Sequence, residues 1–371
     1  MVPGLSIGSA QQLFSRKISQ FPLLQQYLVP SLQSRLQTEH WFENRVVRYV
    51  LRDSSWVQDL ENTFQESQFD SIDNSEEIFG IFQGTEQDYD EQLFDALAEV
   101  RLARWARCQG YREIEKLRRA QKSSTPDFRM KRDAKIVLAE AKHFRVRDYL
   151  VYFIADRLEG LGLMTGGLPR FGFLVDTGND YNRQRDNLVS NRSLWIGKAR
   201  AELTEDWLRR AERQLESDDG AEAPLLDGLF VVRRSATTGP GRVLPALMGM
   251  LDPKETVKLC LSKLQGDLTK KLGQKEFMGA TGTNANQAIV FFSGIDEWEP
   301  EWDKLWSTLE GQQGQWAWDY VDQIKKDADT LIGMPFELIV GRYQKKGRRL
   351  GGEVQYGPME YVSFPWKPRG P

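Results

Sequence analysis

The stretch that decides the fold is PDFRMKRDAKIVLAEAK, residues 126–142 of a 371-residue chain. It reads as a β-hairpin: Ser124 to Arg129 as one strand, a turn through Met130–Asp133, and Lys135 to His143 as the second strand. Ile136, Val137 and Leu138 are apolar on both faces, the pattern of a central strand buried on two sides. The apolar run ends in Glu140-Ala141-Lys142. Side chains alternate along a strand, so Glu140 and Lys142 share a face about 7 Å apart. Asp127, on the neighbouring strand, can reach the same point.

Those residue types suit phosphodiester hydrolysis. Two carboxylates at the end of a sheet can hold a hard divalent cation through oxygen ligands. Such a cation neutralises a scissile phosphate and lowers the pKa of a bound water. A lysine two residues after the second carboxylate can orient that water or stabilise the charged transition state. Asp127 and Glu140 are therefore the expected ligands of Mg²⁺ or Mn²⁺, with the Ala141 carbonyl as a further donor and Lys142 as the catalytic lysine. The plainer alternative makes Glu-Ala-Lys a surface ion pair at a strand end and Pro-Asp a turn.

At these residues the chain resembles the PD-(D/E)xK nuclease superfamily, which has the restriction-endonuclease-like fold. Pro126-Asp127 matches the first element and Glu140-x-Lys142 the second, within a match spanning residues 91–147. The resemblance implies a further acid on the preceding core helix, which here is Glu99 in LFDALAEVRLARWARCQGY, residues 93–111. By spacing alone, Glu99 reads equally well as a helix surface charge. The order also agrees: a helix carrying Glu, Gly-aromatic, a strand, Pro-Asp-Phe, a hairpin, Glu-x-Lys.

The formal net charge of −3 disfavours a nucleic-acid binder, but its distribution reverses that. Residues 53–100 hold no Lys or Arg, whereas residues 101–147 hold 15 Lys and Arg against 5 Asp and Glu. A phosphate backbone requires such a field; a solvated helix face plus the hairpin turn would account for about half of it. Arg129, Lys131 and Arg132 in the hairpin turn, and Lys345 and Arg348 in a second basic loop, are the expected phosphate contacts. The two histidines and two cysteines supply no metal-spaced motif, and Cys108 and Cys260 read as reduced core thiols of a cytoplasmic protein. The longest apolar run, residues 149–155, is too short to span a bilayer, and the N-terminus does not read as a secretory signal.

The rest of the chain divides into a helical region, residues 1–88; a nuclease core, residues 89–236; and a C-terminal α/β region, residues 237–371, for targeting or dimerisation. Residues 61–90 read as an acidic, loop-like connector. Arg200 to Leu215 as a helix and Gly228 to Arg234 as a strand are expected to return the chain to the core sheet. Trp298, Trp302 and Trp306, at helical spacing, read as core or interface rather than a base-stacking row. Gly279 to Asn284 lacks the Gly-Lys-Ser/Thr of a nucleotide loop.

The expected fold is thus α/β, a restriction-endonuclease-like mixed-sheet core flanked by helices. The expected function is Mg²⁺-dependent cleavage of nucleic acid, DNA rather than RNA, as an endonuclease of host defence or a mobile element. A homodimer or a partner subunit is compatible with it. The alternative is a non-catalytic nucleic-acid-binding or assembly module on the same fold.

Overall fold

The apolar spacing of the N-terminal region folds into helices α1 (Ile7–Ile18), α2 (Pro22–Tyr27), α3 (Val29–Leu36), α4 (Arg45–Arg52), α5 (Ser54–Ser67) and α6 (Glu76–Gln83). The computed structural model describes residues 7–37, 41–52, 54–83, 91–118, 125–144, 149–165, 170–217, 220–235, 240, 243–245, 253–272, 285–293, 300–311, 314–348, 354–364 and 366. Residues 61–67 and 76–83 are helical, with a short 3-10 turn at Phe69–Ser71 between them, where a loop was expected. Phe64, Phe69, Ile72, Ile78 and Phe82 are all buried, and that apolar content outweighs the acidic residues between them. Glu61 faces inward: its carboxylate accepts the N–H groups of Leu23 at 3.1 Å and Leu24 at 2.9 Å, at the start of α2.

Next come α7 (Glu91–Cys108) and the meander β1 (Arg112–Lys116), β2 (Phe128–Arg132) and β3 (Lys135–His143), paired antiparallel in sequence. The hairpin is tighter than expected. Arg132 pairs with Lys135, and only Asp133 and Ala134, both at positive φ, form the turn. Two positive-φ residues match the right-handed twist of the flanking strands. β3 is central, between β2 and a later strand, as its two-sided apolar run requires.

The chain then leaves this sheet. It forms α8 (Tyr149–Thr165), β4 (Gly172–Thr177), α9 (Tyr181–Ser190), α10 (Arg192–Glu202), α11 (Glu205–Ser217), β5 (Glu222–Leu225), β6 (Phe230–Ser235) and β7 (Val243–Pro245). These strands make a second sheet in the order β5-β6-β4-β7. The strand expected to rejoin the core is β6, which pairs with β4 and β5 instead. The helix expected over residues 200–215 is broken at Thr204, whose hydroxyl accepts the Trp207 N–H at 3.3 Å and caps α11 ahead of Glu205 and Asp206. On α8, a Cβ at Gly160 would stand 2.2 Å from the Phe42 carbonyl oxygen. Gly160→Ala is expected to cost about 3 kcal/mol or more, read from urea midpoints.

The return to the first sheet is made by α12 (Pro253–Leu272) and β8 (Ala285–Ser293), with β8 parallel to β3. Then follow α13 (Pro300–Glu310), α14 (Gln315–Ile332), β9 (Phe336–Arg348) and β10 (Val354–Ser363). Among the described residues the first sheet is mixed and six-stranded, in the order β1-β2-β3-β8-β9-β10. It therefore crosses the boundary expected at residue 236: the strands before and after it share one ladder.

Its two faces bury different cores. Val137, Ala139, Ile289, Phe291 and Ile339 face the N-terminal helices and α7. Leu138, Val290, Phe292, Leu338 and Val340 face α12, α13 and α14. Trp306 joins the second core against Phe364, in keeping with a packing role; Trp298, the Trp302 side chain and residues 279–284 lie outside the described residues. Cys260 is buried as expected, whereas Cys108 is exposed at the end of α7.

Candidate active site

The site forms where β2 stops and β3 runs on. β2 begins at Phe128, paired with Ala139, while β3 continues to His143. The β3 backbone beyond that point loses its β2 ladder, and carboxylates supply acceptors. Asp127 Oδ2 accepts the Ala141 N–H at 2.8 Å, and Asp95 Oδ1, from α7, accepts the His143 N–H at 3.3 Å. Asp127 is thus fixed by the same backbone whose side chains supply Glu140 and Lys142.

Glu99, Asp127 and Glu140 are each 2–3% exposed. Lysines join them. Lys116 Nζ, at the end of β1, lies 2.7 Å from Glu99 Oε2 and 2.8 Å from Asp127 Oδ1. Lys271, in the last turn of α12, pairs with Glu140 Oε1. Lys142 does not reach these acids; its Nζ lies 3.3 Å from Asp267 Oδ1 on α12. The structure therefore gathers Glu99 and Asp127 around one lysine, sets Glu140 beside Asp127, and turns Lys142 to a different partner.

The electrostatics follow from burial. Asp127 is held below the ordinary carboxylate range: burial works to raise it, but Lys116, Lys271 and the Ala141 N–H prevail. Glu140 goes the other way, pushed up to about 8 by burial and then by the neighbouring Asp127 and Glu99 charges, with Lys271 pulling against them. Burial would lower Lys116, yet Asp127 and Glu99 raise it, so it stays charged. Near neutral pH Asp127 is ionised and Lys116 and Lys271 are charged, while Glu140 favours its protonated form.

Hard carboxylate oxygens are a fitting donor set for Mg²⁺ or Mn²⁺. Glu140 Oε2 is also buried with no hydrogen-bond partner among the described residues, an oxygen that a cation would satisfy. Among those residues no three or more acidic, His or Cys side chains stand as a ready-made ligand group. The ammonium groups of Lys116 and Lys271 now supply the positive charge that a divalent cation would take over.

The expected phosphate contacts are engaged within the sheet. Arg129 Nη2 lies 2.6 Å from Glu115 Oε2, Lys131 pairs with Glu113, and the Arg132 guanidinium lies 4.8 Å from the Tyr111 ring centroid. The first two are cross-strand pairs between β1 and β2. Replacing Arg129 and Glu115 together by Ala should change stability by less than about 1 kcal/mol in denaturant titration. Lys345 and Arg348 lie on β9, paired with Tyr356 and Val354, rather than in a loop. The strands continue further into the hairpin than the Lys-Lys-Gly-Arg-Arg composition suggested.

Two arginines of the basic block also meet the acidic N-terminal region, Arg104 largely buried and Arg118 at the surface. Arg104 contacts Asp59 at 3.0 Å and Glu66 at 2.8 Å, and Arg118 contacts Glu76 at 3.2 Å. The charge asymmetry is thus in part a matching of α5 and α6 to α7 and the residues after β1. Arg119, Lys122, Arg145 and Arg147 lie outside the described residues.

Sequence reasoning missed Lys116, Lys271 and Asp267. Each carried a signal. Lys116 follows Ile114 by two residues, and strand alternation places both on the inward side. Asp267 and Lys271 fall three residues after Leu264 and Leu268, on the apolar stripe of α12.

No family model, no curated protein and no solved structure matches this chain. Among the described residues, no helix is long and apolar enough to cross a membrane.

Proposed function

We propose that this chain is a divalent-metal-dependent nuclease with a restriction-endonuclease-like core. The observation that carries the reading is the meeting of Asp127 and Glu140 at the staggered ends of β2 and β3, with Glu99 joined to Asp127 through Lys116. The order α7-β1-β2-β3-α12-β8, with β3 and β8 parallel, supports it. It is a mixed sheet regained through a helix and a strand, with a second sheet inserted after β3.

In this reading Asp127 and Glu140 hold Mg²⁺ or Mn²⁺, and Glu99 is a third acid. A bound divalent cation would supply charge neutralisation at the phosphate and a more acidic water. Asp127 is ionised and fixed by the Ala141 N–H, so it presents a carboxylate without reorganisation. Glu140 must lose its proton to bind. Burial keeps bulk water from competing for these groups, which strengthens each charge interaction.

A second reading has its own observation. Lys116 and Lys271 already neutralise the acids, as in a structural ion-pair network, and this favours a nucleic-acid-binding or assembly protein that performs no chemistry. The two are separated by incubating the full chain with supercoiled plasmid, linear duplex, single-stranded DNA and RNA, each with Mg²⁺, Mn²⁺ or EDTA. Cutting that EDTA abolishes supports the nuclease, and the substrate that is cut names the target, expected to be DNA. Salt-sensitive binding without cutting favours the second reading.

A further inference from the structure

The two lysines near Glu140 hold different positions. Lys142, in the Glu-x-Lys run, is committed to Asp267 at 3.3 Å, an acid that Lys263 also meets at 3.3 Å. The ammonium on Glu140 belongs to Lys271, one turn further along α12. Asp127 and Asp95 add to the negative field around Lys271.

This pairing is set by backbone geometry. Four residues of helix advance about 6 Å and two residues of strand about 6.6 Å. Asp267 and Lys271 on α12 therefore align with Lys142 and Glu140 on β3, the helix running antiparallel to the strand. Sliding α12 by a full turn would break both pairs, setting Lys271 against Lys142 or Asp267 against Glu140. Its stripe of Leu261, Leu264, Leu268 and Leu272, all at 0–1% exposure, opposes that.

We infer that Lys271, rather than Lys142, is the lysine that works with Glu140. It is a positioning residue: its ammonium holds the carboxylate through Oε1 and leaves the buried Oε2, unpartnered among the described residues, for a cation. Lys142 orders α12 on the sheet through Asp267. This rests on the nuclease reading above. It also implies that Lys271 and a divalent cation compete for one carboxylate.

The test uses the full chain as Lys271→Gln, Lys271→Arg, Lys142→Gln and Lys142→Arg, with kcat and KM measured on the substrate that wild type cuts. Mn²⁺ affinity is measured separately by electron paramagnetic resonance. Lys271→Gln should lower kcat about 100-fold with KM little changed. Lys271→Arg should recover part of that loss, and Lys142→Gln should cost less than about fivefold. Mn²⁺ should bind Lys271→Gln several-fold more tightly than wild type, because the competing ammonium is gone, and Lys142→Gln as wild type. A merely structural Lys271 would leave that affinity unmoved. If Lys271→Gln does not fold, the arginine pair decides, with Lys271→Arg expected to lose more kcat than Lys142→Arg.

Lys142 variants that match or exceed the Lys271 losses, or an unmoved Mn²⁺ affinity, overturn the inference while leaving the nuclease intact. A wild type that binds Mn²⁺ and cuts nothing, with tighter binding only in Lys271→Gln, overturns the nuclease and supports the pairing of Lys271 with a cation site. A wild type that neither cuts nor binds Mn²⁺ overturns both.

Discussion

Lys116→Met should destabilise the metal-free protein by about 3–5 kcal/mol, the cost of removing one partner from a buried ion pair. Lys116 contacts both Glu99 and Asp127, its side chain is 4% exposed, and each acid side chain is 3–4% exposed. Methionine keeps the length and apolar stem, so the loss is one of charge rather than volume. Adding Glu99→Gln should return part of it, because one of the two buried carboxylates left without counter-charge is then gone. Mg²⁺ or Mn²⁺ should also stabilise Lys116→Met, by binding where the ammonium was. Urea midpoints of the three proteins, with and without metal, provide the check. A loss below about 1 kcal/mol for Lys116→Met would mean that the acids are not held as described.

The second large effect is on pH. Glu140 is raised from 4.5 to about 8, so the folded chain retains a proton there that the unfolded chain releases. The stability associated with that proton is fully present below about pH 4.5 and is lost as pH rises towards 8 and above. At 1.36 kcal/mol per unit the loss is on the order of a few kcal/mol. Glu140→Gln cannot ionise and should lack this decline. Relative to wild type it should be most stabilised near pH 9 and little changed near pH 5. The same proton opposes metal binding, so cleavage in Mg²⁺ should rise with pH up to about 8. Wild-type and Glu140→Gln stability curves that run parallel from pH 5 to 9 would remove the basis for both statements.

What the sequence made legible was local. The two-sided apolar run of residues 136–138 marks a central strand, and that reading places Glu140 and Lys142 correctly on one face. Glu99 was implied by the resemblance alone, and the structure brings it to Asp127 through Lys116. What was not legible depended on partners distant in the chain. β6 has the composition of a core strand, yet its ladder is with β4, and nothing in a short apolar strand states which sheet it joins. The parallel partner of β3 starts at residue 285, beyond an inserted sheet and the helices α8 to α12. Lys142 was assigned to the acids because it shares their face, but the α12 register gave it Asp267 and gave Glu140 Lys271. The basic block read as a free field in part because the ion-pair partners of Arg104 and Arg118 lie 45 and 42 residues away, on α5 and α6.

The most direct measurement is conversion of supercoiled plasmid in Mg²⁺ by wild type and by Asp127→Asn, with thermal melts run in parallel to show that both are folded. Asp127 is the acid that is ionised, buried and fixed by backbone, so its charge is the one that the chemistry most requires. Metal-dependent nicking or linearisation by wild type, reduced about a thousandfold or more in folded Asp127→Asn, is the expected result. Equal cutting by the two folded proteins would place the chemistry elsewhere. No cutting by either would leave the buried acids and lysines as an ion-pair network that holds β1, β3, α7 and α12 together.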